Sequence, residues 1–149
     1  MKLQELLQGI AVPESNAPMD MEITGVSYSS NTVRTGELFV AVPGYATDGH
    51  RFIPDAVARG AAVVLCERDM PQEVPWVRVA SSREALAQLG VNWYGDPSKA
   101  MQVIGVTGTN GKTSVTYLLK TLLENACGAK VGLIGTICNL SGYSIVNAV

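Results

Sequence analysis

The chain has little of what several protein classes require. Its 149 residues contain three cysteines (Cys66, Cys127, Cys138), odd in number, widely spaced and without a CxxC pair. Neither a disulfide framework nor a zinc site is expected from them, and the chain reads as a protein of a reducing, cytoplasmic compartment. No run of lysine or arginine occurs and the formal net charge is -2, so neither nucleic acid nor an anionic membrane surface is indicated as a partner. The longest apolar runs, such as residues 61–66, are far too short to span a bilayer, and membrane insertion is not expected. The opening MKLQELLQGI does not resemble a signal peptide. His50 is the sole histidine. Following Asp48 and Gly49, it is expected in the first turn of a helix, without a part in catalysis, and Asp48 is expected as a turn or N-cap residue.

What is present is a folding chain: 47% of residues are hydrophobic and 16% charged, enough to bury a core. Leu3, Leu6, Leu7 and Ile10 follow the i, i+3, i+4, i+7 spacing of an opening helix. Strands are expected over residues 22–28, 36–42, 61–66 and 76–79. A helix carrying Phe52, Ile53, Ala56 and Val57 lies between the second and third and closes at Gly60. Ser81 and Glu84 read as a capping box opening a helix through Leu86 and Leu89. Trp93 and Tyr94 are expected to pack that helix on its sheet, and Cys66 and Cys127 to be buried thiols. Residues 94–102 hold turn formers and no periodicity, so a boundary is placed there, dividing the chain into 1–97 and 98–149.

The second part reads as strand (102–106), glycine loop, helix (Val115, Leu118, Leu119, Leu122, Leu123, Ala126, ending at Gly128) and strand (131–134), one βαβ unit of a parallel sheet. The segment VIGVTGTNGKTSV places three glycines between strand and helix. The first N–H groups of a helix have no intrahelical partner and carry the positive end of its dipole. Glycines let the backbone curl round an anion so that these groups converge on phosphate oxygens. Lys112 adds a mobile positive charge, and Thr113 a hydroxyl for a bound Mg2+. The spacing is not a strict G-x-x-x-x-G-K-[ST], because Val106 stands where the first glycine belongs. The plain alternative is a glycine-rich turn with an incidental lysine. On the loop alone, kinase, GTPase, ATPase and ligase all stay open.

The run TGELFVAVPGYATDGHRFIPDAVARGAAVVL, then Trp93-Tyr94-Gly95, DPS, VIGVTGTNGKTS and GLIGT, resembles the Mur ligases of peptidoglycan synthesis over nearly all of the chain. It is most similar to the branch that adds the third amino acid to UDP-N-acetylmuramoyl-L-alanyl-D-glutamate. The resemblance implies an α/β fold: a small N-terminal domain holding the uridine diphosphate end of the substrate, then the first βαβ unit of a P-loop, parallel-sheet ATPase domain, truncated. It implies ATP and Mg2+ as cofactors, UDP-N-acetylmuramoyl-dipeptide and an amino acid as substrates, and amide-bond formation through an acyl phosphate. It assigns Gly108, Thr109, Asn110, Gly111, Lys112, Thr113 and Ser114 to ATP, with Lys112 as the catalytic charge and Thr113 at the metal. Tyr28, Ser30, Tyr45, Ala46 and Thr47 fall where the family contacts the uridine nucleotide. The family's aspartate–serine–arginine reads Ser29-Ser30-Asn31 here, so two charged contacts are missing. The lysine that the family carbamylates at its magnesium is also absent. A UDP-sugar-binding module without chemistry and an unrelated P-loop phosphotransferase are the competing classes.

After Lys112 the only acidic residue is Glu124, well into the helix, whereas a P-loop ATPase completes its magnesium site with an acid from a neighbouring strand. The closing YSIVNAV has no evident partner strand. Either self-association through the exposed, truncated sheet or a mobile second part is expected. The chain by itself is therefore expected not to catalyse ligation. Steady phosphate release from ATP that requires UDP-muramoyl-dipeptide and an amino acid, assayed on these 149 residues, would contradict this.

Overall fold

The structure, a computed structural model, describes residues 1–44, 47–70 and 74–141, and the backbone of 144–147. The chain forms two compact units, Met1–Met101 and Gln102–Val149.

The first unit is built on strands β1 (Glu14–Ser15), β2 (Val26–Ser27), β3 (Leu38–Val40), β4 (Val63–Cys66) and β5 (Trp76–Arg78), in spatial order β1-β5-β4-β3-β2. β2 to β5 are mutually parallel, with Val26 opposite Leu38, Leu38 opposite Val63 and Val64 opposite Trp76, and β1 adds antiparallel to β5. A parallel sheet is covered on both faces, so its strands read as unbroken apolar runs. Every residue of β4 is buried. Alternation along the strands then sorts the side chains. Leu38, Val40, Val63, Leu65 and Val77 pack with Leu3, Leu6, Ala85 and Leu89, from α1 (Leu3–Leu6) and α3 (Ser82–Tyr94). Phe39, Val64, Cys66 and Trp76 pack on the other face with Ile53 and Ala56 of α2 (Ile53–Ala58).

Local chemistry sets the element ends. α1 is a single turn rather than a helix reaching Ile10, because Gly9 takes φ +79° and turns the chain away. Its open carbonyls are covered from α3: Asn92 Nδ2 donates to Leu6 O (2.8 Å) and Gln8 O (2.7 Å). At the start of α3, Ser81 Oγ accepts from the Glu84 amide (3.3 Å), which is the hydroxyl half of the expected capping box. Gly95, at φ +73°, ends the helix. Trp93 packs on the core as expected, whereas Tyr94 is exposed: it is the last helical residue and falls outside the buried stripe.

In the second unit, α4 (Lys112–Cys127) runs from Gly111 to a left-handed Gly128. β6 (Leu133–Ile134), β7 (Cys138–Ser141) and β8 (Ser144–Asn147) form an antiparallel sheet in that order. Residues 102–106, expected as a strand, have no ladder partner among the described residues, and Val103 is 70% exposed. Apolar composition there is not enough, since a strand exists only where a neighbour accepts its hydrogen bonds. The closing segment, expected to lack a partner, pairs with β7, Cys138 opposite Asn147 and Ser141 opposite Ser144. The leucine stripe of α4 is largely open, with Leu118 69% and Leu122 59% exposed. Cys66 is buried, but Cys127 is exposed, contrary to expectation, because it closes a helix with no buried residue. No helix among the described residues is long and apolar enough to cross a membrane.

These burials give opposite mutational costs. Leu65→Ala, at a fully buried site in β4, is expected to lower stability by about 2–5 kcal/mol. Leu118→Ala should change it by less than about 0.5 kcal/mol. Urea denaturation of both variants checks the contrast, and equal losses would contradict the described packing.

Candidate functional site

Two groups of candidate residues lie in different units. In the second unit the loop before α4 contains Gly108 at φ +147° and Gly111 at φ +76°. Nothing lies within 4 Å of a Cβ built at Gly111, so backbone conformation rather than crowding requires glycine there. The first α-helical bond runs from the Val115 amide to Gly111 O (2.9 Å), and no side chain caps the helix. The amides of Lys112, Thr113 and Ser114 are thus left without intrahelical acceptors. Lys112 folds back over the loop, its Nζ donating to Gly108 O at 2.6 Å and lying 3.5 Å from Thr109 O. It forms no ion pair among the described residues. Thr109, Asn110 and Ser114 are exposed and Thr113 is half-buried.

Lys112 and Thr113 line a cleft of about 190 Å³ together with Thr116, Tyr117, Thr136 and Cys138. Free amides, a mobile ammonium and a hydroxyl at the mouth of a cleft suit a polyphosphate. Toward Mg2+ the loop offers the Thr113 hydroxyl. Glu124 is engaged with Lys120 along α4, and no group of three or more metal-ligating side chains occurs among the described residues. That donor set fits an ion held chiefly by phosphate oxygens. Tyr117 had no sequence signal beyond its helical position. Its hydroxyl lies 3.2 Å from Cys138 Sγ, and this hydrogen bond raises the phenol's pKa.

In the first unit, Tyr28 and Ser30 follow β2, and Thr47 lies in the loop after β3. Because β2 and β3 are adjacent and parallel, these residues emerge at one edge of the sheet. The carboxyl edge of an open parallel sheet is where such folds place ligands. Tyr28 is 64% exposed, and Ser30 is buried in a turn closed by the Thr32 amide on Ser29 O (3.1 Å). Thr47 is exposed, and its carbonyl accepts from the Gly44 amide (3.1 Å). Tyr45 and Ala46 lie outside the described residues.

Beside this loop is a polar cluster that the sequence pattern resolved only in part. Asp48 caps the short 3-10 helix Gly49–Phe52 as expected, accepting from the His50 amide at 3.0 Å. Its Oδ1 also lies 2.7 Å from His50 Nδ1, and its Oδ2 2.8 Å from Arg68 Nη2. These bonds, the backbone one foremost, hold the Asp48 carboxyl below its ordinary pKa. His50 Nε2 accepts from the Glu67 amide (3.1 Å), and Glu67 Oε1 accepts from the Ser82 amide (2.7 Å).

Residues 22–94 match the model of the Mur ligase family, catalytic domain, and residues 106–148 that of the Mur ligase middle domain. The chain belongs to the Mur ligase family. It is 45% identical over 150 aligned positions to a UDP-N-acetylmuramoyl-L-alanyl-D-glutamate–2,6-diaminopimelate ligase of Alkaliphilus metalliredigens, a match covering 99% of this chain and 30% of that one. A UDP-N-acetylmuramyl-tripeptide synthetase of Roseiflexus sp. is 46% identical over 92% of this chain and 27% of its own length. Among solved structures, the MurF ligase of Thermotoga maritima in complex with ADP superposes with a TM-score of 0.55 at 38% identity, over 71% of this chain and 24% of that one. The chain thus spans about 30% of the length of the curated relatives it matches.

The lowered pKa of Asp48 sets an acid dependence. A depressed carboxylate contributes stability that is present above its unfolded value, about 3.9, and is lost as pH falls through the folded one. Asp48→Asn should therefore melt below the wild-type protein at pH 7, with the difference closing as pH falls below about 4. Thermal melts across that range check it, and a gap unchanged at the acid end would contradict it.

Proposed function

We propose that this chain is part of an ATP-dependent amide-bond-forming ligase of peptidoglycan synthesis. The enzyme adds the third amino acid to UDP-N-acetylmuramoyl-L-alanyl-D-glutamate. The observation that carries this is the order of two family matches on one chain, the second opening at the glycine loop that leads into an uncapped helix whose first residue is Lys112. The names of these two relatives support the choice of substrate.

In this reading the first unit holds the uridine diphosphate end through Tyr28, Ser30, Tyr45, Ala46 and Thr47. The second unit holds ATP through Gly108 to Ser114. ATP, when bound, supplies the phosphoryl group that activates the substrate carboxylate for attack by the incoming amine. This chain's part is positioning and charge neutralisation. The amides of Lys112, Thr113 and Ser114 fix the phosphates. Lys112 exchanges its carbonyl contacts for phosphate oxygens and offsets the charge that builds during transfer. The Thr113 hydroxyl would supply one ligand to a Mg2+ ion, which would help neutralise the phosphate charge. Unpaired cysteine spacing accords with a cytoplasmic location. The exposed Val115, Leu118 and Leu122 accord with self-association of the 149-residue chain.

Lys112→Ala should lower ATP affinity and leave uridine nucleotide binding unchanged, both read by calorimetry. In the complete enzyme turnover should fall by roughly two to three orders of magnitude, since the charge assists a transition state. Turnover near wild type would remove the role assigned to Lys112.

A further inference from the structure

The loop between β3 and the Gly49–Phe52 turn is closed on itself at its base. The Gly49 amide donates to Val42 O (3.0 Å), and Pro43 bridges Asp48. A Cβ at Gly49 would come within 2.5 Å of Val42 O, a backbone atom that cannot swing aside, so only glycine permits this crossing. These bonds close the base of the loop. Among the described residues three side-chain contacts attach it to the rest of the unit. One is Arg83 Nη2 donating to Pro43 O (3.0 Å), from an exposed side chain. A second is Arg68 Nη2 on Asp48 Oδ2 (2.8 Å), also from an exposed side chain. The third, and the buried one, runs through His50.

The His50 side chain is only 8% exposed, and both of its ring nitrogens are committed. A backbone amide can only donate, so Nε2, which receives the Glu67 N–H at 3.1 Å, carries no proton. The ring proton therefore sits on Nδ1 and is donated to Asp48 Oδ1 at 2.7 Å. A ring so held cannot exchange a proton with a substrate without losing one of these bonds. What it does is join the loop after β3 to the residue that follows β4. Glu67 extends the connection by accepting the Ser82 amide, at the first residue of α3 (2.7 Å).

We propose that His50 is a positioning residue: its neutral ring, protonated at Nδ1, pins the loop after β3 to the end of β4, and this tie sets the affinity of the first unit for a uridine nucleotide. The inference rests on the reading of that unit as the uridine-binding one. Thr47, directly before Asp48, emerges at the same sheet edge as Tyr28 and Ser30. Release of the tie leaves the loop to be ordered at the moment of binding, which weakens affinity.

The test uses the 149-residue chain with uridine diphosphate as probe. Imidazole nitrogen spectra of the free protein are expected to show a protonated Nδ1 and a bare Nε2; the opposite tautomer overturns the proposal. His50→Gln retains an acceptor near the Nε2 position, whereas His50→Asn retains only a donor near Nδ1. The asparagine variant should bind uridine diphosphate about tenfold more weakly. It should also lose hydrogen-exchange protection at the Glu67 amide. The glutamine variant should lie nearer wild type in both, with ATP affinity unchanged in each. Wild-type affinity in the folded asparagine variant overturns the proposal. A wild-type chain that binds no uridine diphosphate overturns the reading of the first unit and the affinity effect with it. The spectra and the Glu67 exchange, read without ligand, then still decide whether the tie exists.

Discussion

A parallel sheet cannot leave a face in water, and this requirement organises the first unit. The four parallel strands are short, and the apolar side chains of β3 and β4 are completely buried. Alternation along them sends Leu38, Val40, Val63 and Leu65 toward α1 and α3, and Phe39, Val64 and Cys66 toward α2. The helices are held less by their own propensity than by the stripes they must cover. Parallel pairing also carries the functional geometry. Every strand from β2 to β5 ends at the same edge, so the loops that follow them are gathered there.

The second unit solves a different problem. Its candidate site is backbone that regular structure leaves unsatisfied: three amides at the head of α4, presented by a glycine in a conformation costly to other residues. An anion is the partner that suits this end of a helix. Lys112 leans over the loop, its ammonium donating to the Gly108 carbonyl.

Much of this was legible in the sequence, and what was not has identifiable causes. The continuous apolar run at 61–66 announced β4, because burial on both faces leaves no alternation to misread. The i, i+3, i+4, i+7 spacing marked the buried face of α1 correctly and its length incorrectly, since Leu7 stays buried beyond the last helical turn. Residues 102–106 have strand composition, but pairing is a property of two segments and only one was visible. The pairing of β8 was missed for the same reason. The glycine loop ahead of α4 could be read because its spacing is local. The contacts of His50 could not, because its second partner, Glu67, is distant in sequence and is met through a backbone amide, which has no residue signature.

In the proposed reading one chain presents two nucleotide sites, one at the carboxyl edge of the first sheet and one at the head of α4. Amide chemical-shift mapping, with uridine diphosphate and ATP added separately, addresses it most directly. Uridine diphosphate should move the amides of Tyr28, Ser30 and Thr47 and leave Gly108 to Ser114 in place, while ATP should do the reverse. Uridine diphosphate shifts that bypass the edge after β2 and β3, or ATP shifts that bypass the glycine loop, would contradict the account.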